Sequence, residues 1–223
     1  MRPAAVFEWG GVFVKVAILT EVSTRNRNTD IMKAVEGLPH TFYNLGMKGI
    51  EGEPELSIVE TGFLSGLLLN LGCVDFVIGG CGTGQGYMNC AAQYPGVVCG
   101  LLDDPLNAWL FPQINAGNCV SLALNKDYGW AGEQNLIFIL RELFSVESGG
   151  GYPEHRKIPQ KRIRERMQTV SQISHYSMEE ILKRMKGMEP ELLKNALTFP
   201  GIMQFIEQNY KNEKIFHALL KSL

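Results

Sequence analysis

Short apolar, β-branched runs recur along the first two thirds of the chain, and each is followed by a segment whose apolar residues fall three and four positions apart. The runs at 12–20 (VFVKVAILT), 40–44 (HTFYN), 74–78 (VDFVI), 97–101 (VVCGL) and 119–124 (CVSLAL) read as strands. Most are continuously apolar rather than alternating, which is how a strand buried on both faces of a parallel sheet reads. The intervening segments 31–36, 55–71, 87–93, 106–113 and 130–144 carry helical spacing. Strands alternating with helices over residues 12–145 predict an α/β fold. Its core is a three-layer, doubly wound, five-stranded parallel sheet of Rossmann-like form with right-handed crossovers. Residues 1–11 read as an arm or a short extra strand.

Punctuation supports these limits. Gly72 follows the 55–71 helix as a C′ glycine, and Asp104-Pro105 reads as an N-cap followed by proline at the first helical position. Thr29 or Asp30 reads as the cap of the first helix. His40 stands at the start of strand two, the wrong end for a ligand, and reads as structural. After residue 145 the composition changes. Gly149 to Gly151 and Pro153 break the chain, residues 154–166 (EHRKIPQKRIRER) are strongly basic, and helical patterning then continues to residue 223, interrupted at Pro190 and Pro200-Gly201. Short amphipathic helices of this kind need a surface for their apolar stripe, so they are expected to wrap a partner subunit or cap the sheet, with His217 as a packing residue. The expected division is residues 1–150 as the sheet domain and 151–223 as a basic hinge with a helical extension.

Composition narrows the function. At 223 residues with a net charge of −2 and 20% charged residues, the chain has no global attraction for nucleic acid or a membrane surface. The five cysteines (Cys73, Cys81, Cys90, Cys99, Cys119) show no CxxC spacing, which argues against a zinc site or a disulfide framework and suits a reducing cytoplasm. No secretory signal is evident at the N-terminus, and no run reaches the roughly 18 apolar residues of a membrane span.

Candidate chemistry concentrates in residues 74–86, VDFVIGGCGTGQG. The apolar strand stops in Gly79, Gly80, Gly82, Gly84 and Gly86, and these are expected to give positive φ and close approach to a ligand. Cys81 and Thr83 are the reactive side chains in that turn. The helix that follows would aim the N–H groups of Gly82, Gly84, Gln85 and Gly86 at an anion or a developing oxyanion. The spacing does not fit a dinucleotide fingerprint, and no Lys follows as in a Walker loop. Taken alone such a turn is weak evidence, because many α/β proteins carry one that binds nothing. The end of strand one delivers Glu21, Ser23, Thr24 and Arg25 to the same carboxyl edge, where open parallel sheets bind ligands; a solvated turn is the alternative. Asn115 and Asn118, before strand five, read as ligand contacts or as turn residues.

Several of these motifs together resemble the ribose-5-phosphate isomerase B and galactose-6-phosphate isomerase family. GGCGTGQG, YPGVVCGLLDDPLNAWLFPQINAGNCVSLAL and SGGGYPEHRK occur in the family's order over about residues 12–160. The resemblance implies a cofactor-free aldose–ketose isomerase working through a cis-enediolate. Cys81 would be the proton-moving base, Thr83 would bond a reacting oxygen, and the Gly82 to Gly86 amides would stabilise the enediolate. It also implies a homodimer or homotetramer with a shared site. Glu21-Val22 stands where phosphosugar members carry Asp-His, and Ile114 where they carry a ring-opening His. The pattern is closer to a longer branch that includes isomerases of unphosphorylated, open-chain keto-uronates, with Arg25, Arg156 or Lys157 holding the carboxylate. A sugar-binding protein that has lost turnover is the alternative from another class; a hydrolase with Cys81 as nucleophile lacks an evident His partner.

Overall fold

The computed structural model describes residues 13–223, so the expectation for residues 1–11 lies outside the described residues. The sheet consists of β1 (Lys15–Leu19), β2 (Thr41–Asn44), β3 (Phe76–Cys81), β4 (Cys99–Leu102) and β5 (Cys119–Ala123), all parallel, in the order β2-β1-β3-β5-β4. Alternation places Val16, Ile18, Phe76 and Ile78 in one core and Ala17, Leu19 and Val77 in the other, so the central strands are buried on both faces as their unbroken apolar runs require.

Helices α1 (Asn28–Val35), α4 (Pro105–Asn115) and α5 (Gly132–Leu143) pack on one face, and α2 (Ile58–Leu71) and α3 (Gln85–Ala91) on the other. Helix α2 is apolar on every side and is buried from Thr61 to Leu68. Its start is fixed by a capping box in which the Ser57 side chain accepts from the first turn and Glu60 reaches back to the Ser57 N–H (2.9 Å). Gly72 ends it in the left-handed conformation (φ 68°), as its position predicts. Asp104 and Pro105 likewise open α4 as read from the sequence, with the Asp104 carboxylate accepting from Asn107 N–H (2.9 Å).

Some local expectations are corrected. The first helix begins at Asn28, after a 3₁₀ turn over Arg25–Arg27, so Thr29 and Asp30 lie inside its first turn and cap nothing. A 3₁₀ turn already orders that backbone, which removes the need for a side-chain cap. The glycine segment also begins later than expected, because β3 runs through Gly79 and Gly80 to Cys81. Those two glycines answer to close approach rather than to φ. A Cβ on Gly79 would lie 2.0 Å from the Tyr87 ring, and one on Gly80 would lie 2.4 Å from the Leu122 carbonyl oxygen.

The C-terminal extension behaves in two ways. Helices α7 (Met178–Met188), α8 (Pro190–Thr198), α9 (Ile202–Asn209) and α10 (Glu213–Ser222) bury Leu182, Leu193, Leu197, Ile206 and Leu219 in the same core as α2. They cap the sheet's α2 layer, and the N–H groups of Lys211 and Asn212 both donate to the Leu71 carbonyl at the end of α2 (2.8 and 3.0 Å). Helix α6 (Lys157–Ser174) buries no residue, leaving Ile158, Ile163, Val170 and Ile173 exposed. Among the described residues, no helix is long and apolar enough to cross a membrane.

Candidate active site

The topology selects one end of β3. Helix α3 leaves β3 toward one face of the sheet, whereas α1 and α5, which follow the neighbouring strands β1 and β5, leave toward the other. Loops parting in opposite directions open a crevice at the carboxyl ends of the strands, where doubly wound sheets bind ligands. Cys81 is the last residue of β3, so it stands at that carboxyl edge, with its side chain packed into the core shared with α2.

The turn after Cys81 is held from below by β5. Leu124 N–H donates to the Cys81 carbonyl (3.0 Å), and the N–H groups of Asn125 and Lys126 both donate to the Gly82 carbonyl (3.0 and 2.8 Å). Gly84 takes φ 76° to swing the chain into α3, a conformation that favours glycine. Not every expected amide is available: Gly84 N–H is bonded to the Cys81 carbonyl (3.2 Å) and Gln85 N–H to Thr83 Oγ1 (3.4 Å). Gly82 and Thr83 N–H have no acceptor among the described residues. A Cβ on Gly86 would lie 2.9 Å from Ile58 and 3.6 Å from Cys81 Sγ, so the bare glycine leaves room beside the sulfur. Cys81 is 6% exposed. A cavity of about 210 Å³ lies one strand over, at Ala123, Lys126 and Tyr128.

The loop after β1 reaches the same crevice. Val22 N–H donates to the Leu56 carbonyl (2.8 Å), just before the Ile58 that lies against Gly86. Glu21 is 2% exposed and accepts from Ser23 N–H (2.8 Å), the Ser23 hydroxyl and Thr24 Oγ1 (3.1 Å), so its carboxylate organises its own loop. Arg25 is exposed and meets Glu55 at 3.4 Å, an ion pair of the weak surface kind that a bound anion can replace. The loop that carries Glu21, Ser23 and Arg25 thus meets the turn after Cys81 through Asn125, which donates from Nδ2 to the Ser23 carbonyl (3.1 Å) and from its N–H to the Gly82 carbonyl (3.0 Å).

The remaining expected residues lie at the other end of the sheet. Helix α4 starts at the carboxyl end of β4 and runs back, so Asn115 at its C-terminus and Asn118 sit at the amino end of β5. Asn118 manages the turn, with its amide accepting from Val98 N–H (2.9 Å) and donating to the Gly96 carbonyl (2.9 Å). The basic segment joins that end: Gly149 and Gly151 N–H donate to the carbonyls of Pro112 and Gln113, and Arg164 Nη1 donates to the Ile114 carbonyl (2.9 Å). Arg156 and Lys157, exposed at the start of α6, belong with Asn115 and not with the same chain's Cys81.

The other thiols are placed differently. Burial pushes Cys73 up to about 12 and also raises Cys90, while a hydrogen bond with Cys119 and then burial raise Cys99, so these three stay protonated at neutral pH. Asn125, which donates from Nδ2 to the Ser23 carbonyl (3.1 Å), was not indicated by the sequence; the only signal was its place just past the carboxyl end of β5.

The family profile described as Ribose/Galactose Isomerase matches residues 16–137. The chain belongs to the ribose/galactose isomerase family. A solved 4-deoxy-L-threo-5-hexosulose-uronate ketol-isomerase complexed with a tartrate is 36% identical, with a TM-score of 0.87, and the alignment covers 93% of this chain and 98% of that one. The LacAB_rpiB ribose-5-phosphate isomerase of Vibrio parahaemolyticus is 32% identical, with a TM-score of 0.88 over 95% of this chain and 100% of that one. Both alignments run through the C-terminal helices. The type B ribose 5-phosphate isomerase of Leishmania infantum shares the fold at 17% identity, with a TM-score of 0.58 over 72% of this chain and 97% of its own. A search of curated protein sequences found no match. Membership in this family makes the crevice at Cys81 a sugar isomerase's candidate active site.

Proposed function

We propose that the protein is a sugar isomerase acting on an open-chain sugar acid by proton transfer through a cis-enediolate, with Cys81 as the base. The observation that carries this reading is the thiol at the carboxyl end of β3 beside two amides, Gly82 and Thr83, that have no acceptor among the described residues. The Cys81 thiolate takes the proton from the carbon next to the carbonyl, and the electron pair moves into the carbonyl to give the enediolate. The amides stabilise the charged oxygen. The thiol returns the proton to the former carbonyl carbon, while the hydroxyl proton of the neighbouring carbon passes to the other oxygen. One carbonyl becomes a hydroxyl, one hydroxyl becomes a carbonyl, and the step is redox-neutral. Thr83, exposed at the turn, bonds a reacting oxygen.

An open-chain uronate is favoured over a cyclic phosphosugar because Ile114 cannot open a ring, and among the described residues no histidine lies at the carboxyl edge. Arg25 can take the substrate carboxylate by exchanging it for Glu55. The uronate isomerase at 36% identity supports the same choice. A phosphosugar substrate is the second reading, supported by the ribose-5-phosphate isomerase at 32% identity.

The active unit is a homodimer or larger, with one site built from two copies. Two features support this: basic residues gathered at the far end of the sheet, and an apolar groove of about 460 Å³ between α6 and the strand β4 approach, lined by Val97, Val98, Ile163, Met167 and Val170. A second copy related by a twofold axis would bring Asn115, Arg156 and Lys157 of one chain toward Cys81 of the other.

The test is incubation of pentose phosphates, hexose phosphates and keto-uronates in deuterated water. Turnover should place deuterium beside the carbonyl, fastest with a keto-uronate, and Cys81→Ala should lower exchange by at least about a hundredfold while remaining folded. Exchange at the wild-type rate in Cys81→Ala would remove the thiol from the mechanism.

A further inference from the structure

The geometry assigns Asn125 as a substrate-contacting residue, one that presents its side-chain oxygen to a substrate hydroxyl beside Cys81; this inference rests on the isomerase reading above. Its place is fixed by three loops at once. The backbone N–H of Asn125 donates to the Gly82 carbonyl (3.0 Å), and its side-chain Nδ2 donates to the Ser23 carbonyl (3.1 Å). A Cβ on Gly82 would come within 3.5 Å of that same Nδ2. The side chain therefore lies across the mouth of the crevice, between the loop after β1 and the turn that carries Cys81.

The orientation of the amide follows from its partner. A backbone carbonyl can only accept, so the nitrogen must face Ser23 and the oxygen must face away from it. Oδ1 has no donor among the described residues, and the residue is exposed. Such an arrangement is an amide held by one end with its acceptor offered to the crevice. What it can bind is a neutral O–H donor, and a sugar chain carries one on each carbon flanking the reacting pair. An acceptor there discriminates by hydroxyl position, because a substrate lacking that hydroxyl leaves a desolvated oxygen unpaired. The neighbouring Lys126, exposed on the same turn, pairs with Asp127 (3.6 Å), so Asn125 acts as a hydrogen-bond acceptor without help from that charge.

Substitution at this position should leave the turn standing. The bonds from Leu124, Asn125 and Lys126 to the Cys81 and Gly82 carbonyls come from the backbone and survive any side-chain change except proline. Only the bond to Ser23 is lost.

The experiment measures kcat and KM of wild type and Asn125→Ala on the best substrate of the panel and on its mono-deoxy analogues, together with the rate at which iodoacetamide alkylates Cys81. Asn125→Ala should lose about tenfold to a hundredfold in kcat/KM on the full substrate. The wild type should lose a similar factor on one particular deoxy analogue, on which the variant should lose nothing further, and alkylation of Cys81 should be unchanged. Asn125→Asp cannot donate to the Ser23 carbonyl and sets a like charge against a sugar acid, so it should be at least as impaired; it also serves as the second variant should the alanine form not fold. The inference is overturned if Asn125→Ala keeps wild-type kcat/KM, or if it loses the same factor on every analogue, with changed alkylation then marking a structural role of the turn. A wild-type protein inert toward the whole panel is a different result, since it ends the isomerase reading and takes this inference with it.

Discussion

The two ends of the sheet carry the two halves of the expected site in different states. At the carboxyl end, Cys81, Glu21 and Ser23 are fixed by bonds among three loops, and Glu21 spends its carboxylate on its own turn. At the amino end, Asn115, Arg156 and Lys157 gather around the last turn of α4 with exposed side chains, beside a helix that buries nothing. Topology explains the first state, since crossover loops of a doubly wound sheet meet at the carboxyl edge. It gives no reason for the second in an isolated chain. Arg156 is exposed there and Lys157 meets Glu147 at 3.9 Å, a weak surface pair, and the proposed two-chain site would give both a use that the isolated chain does not.

The sharpest way to break that comparison is complementation. Under the shared-site reading, Cys81→Ser and Arg156→Ala are each severely impaired as pure proteins. Mixed and allowed to exchange subunits, they should recover about a quarter of wild-type activity, because half of the dimers are mixed and each mixed dimer holds one intact site of two. No recovery after exchange proven by mass spectrometry would place both halves in one chain's chemistry, or the amino end outside it.

The two kinds of C-terminal helix sharpen the same point. Leu193 on α8 is 4% exposed and belongs to the core over α2, whereas Val170 on α6 is 60% exposed. Leu193→Ala should cost about 2–5 kcal/mol in urea unfolding, the usual loss for an emptied core position. Val170→Glu should leave the core of the single chain intact, yet halve the mass seen by sedimentation and remove activity with it. A Val170→Glu protein of wild-type mass and activity would free α6 from any interface. Unfolding energy for Leu193→Ala and mass for Val170→Glu thus separate burial within the chain from burial between chains.

Much of the sheet was legible in the sequence. Five apolar runs and their spacing specify five parallel strands, and Gly72, Asp104 and Pro105 place helix ends by local chemistry that tertiary contacts do not override. The glycine segment was legible as a site and misread in detail, because Gly79 and Gly80 signal close packing under Tyr87 and Leu122 as strongly as they signal a turn. The start of α1 was missed because a 3₁₀ turn has no side-chain signature in RNRNTD. Asn115 and Cys81 are 34 positions apart in the sequence, and their separation follows only once α4 is traced back across the sheet. Asn125 was hidden in NKDYG, a stretch whose composition says turn and whose bonds to Ser23 and Gly82 appear only when β1, β3 and β5 lie side by side. Helices α7 to α10 look like α6 in pattern, and what separates them is whether the outer side of α2 lies within their reach.

The smallest effect concerns His40, at the amino edge of β2. It is buried against Phe144, with ring centroids 4.8 Å apart, and burial lowers its pKa from the ordinary value of 6.5 against a smaller opposing pull from the Pro39 backbone. A histidine whose folded value lies below its unfolded one takes up its proton first in the unfolded chain. The stability it contributes is therefore complete above pH 6.5 and is lost as pH falls through that value toward the folded one. Wild type should show a lower urea midpoint at pH 5.5 than at 7.5 from this source. His40→Leu keeps apolar bulk against Phe144 and removes the titration, so its two midpoints should lie closer together than those of the wild type. An unchanged gap would mean that the acid sensitivity belongs to carboxylates elsewhere, and because His40 lies far from the crevice, kcat of His40→Leu should match wild type at pH 7.5 in either case.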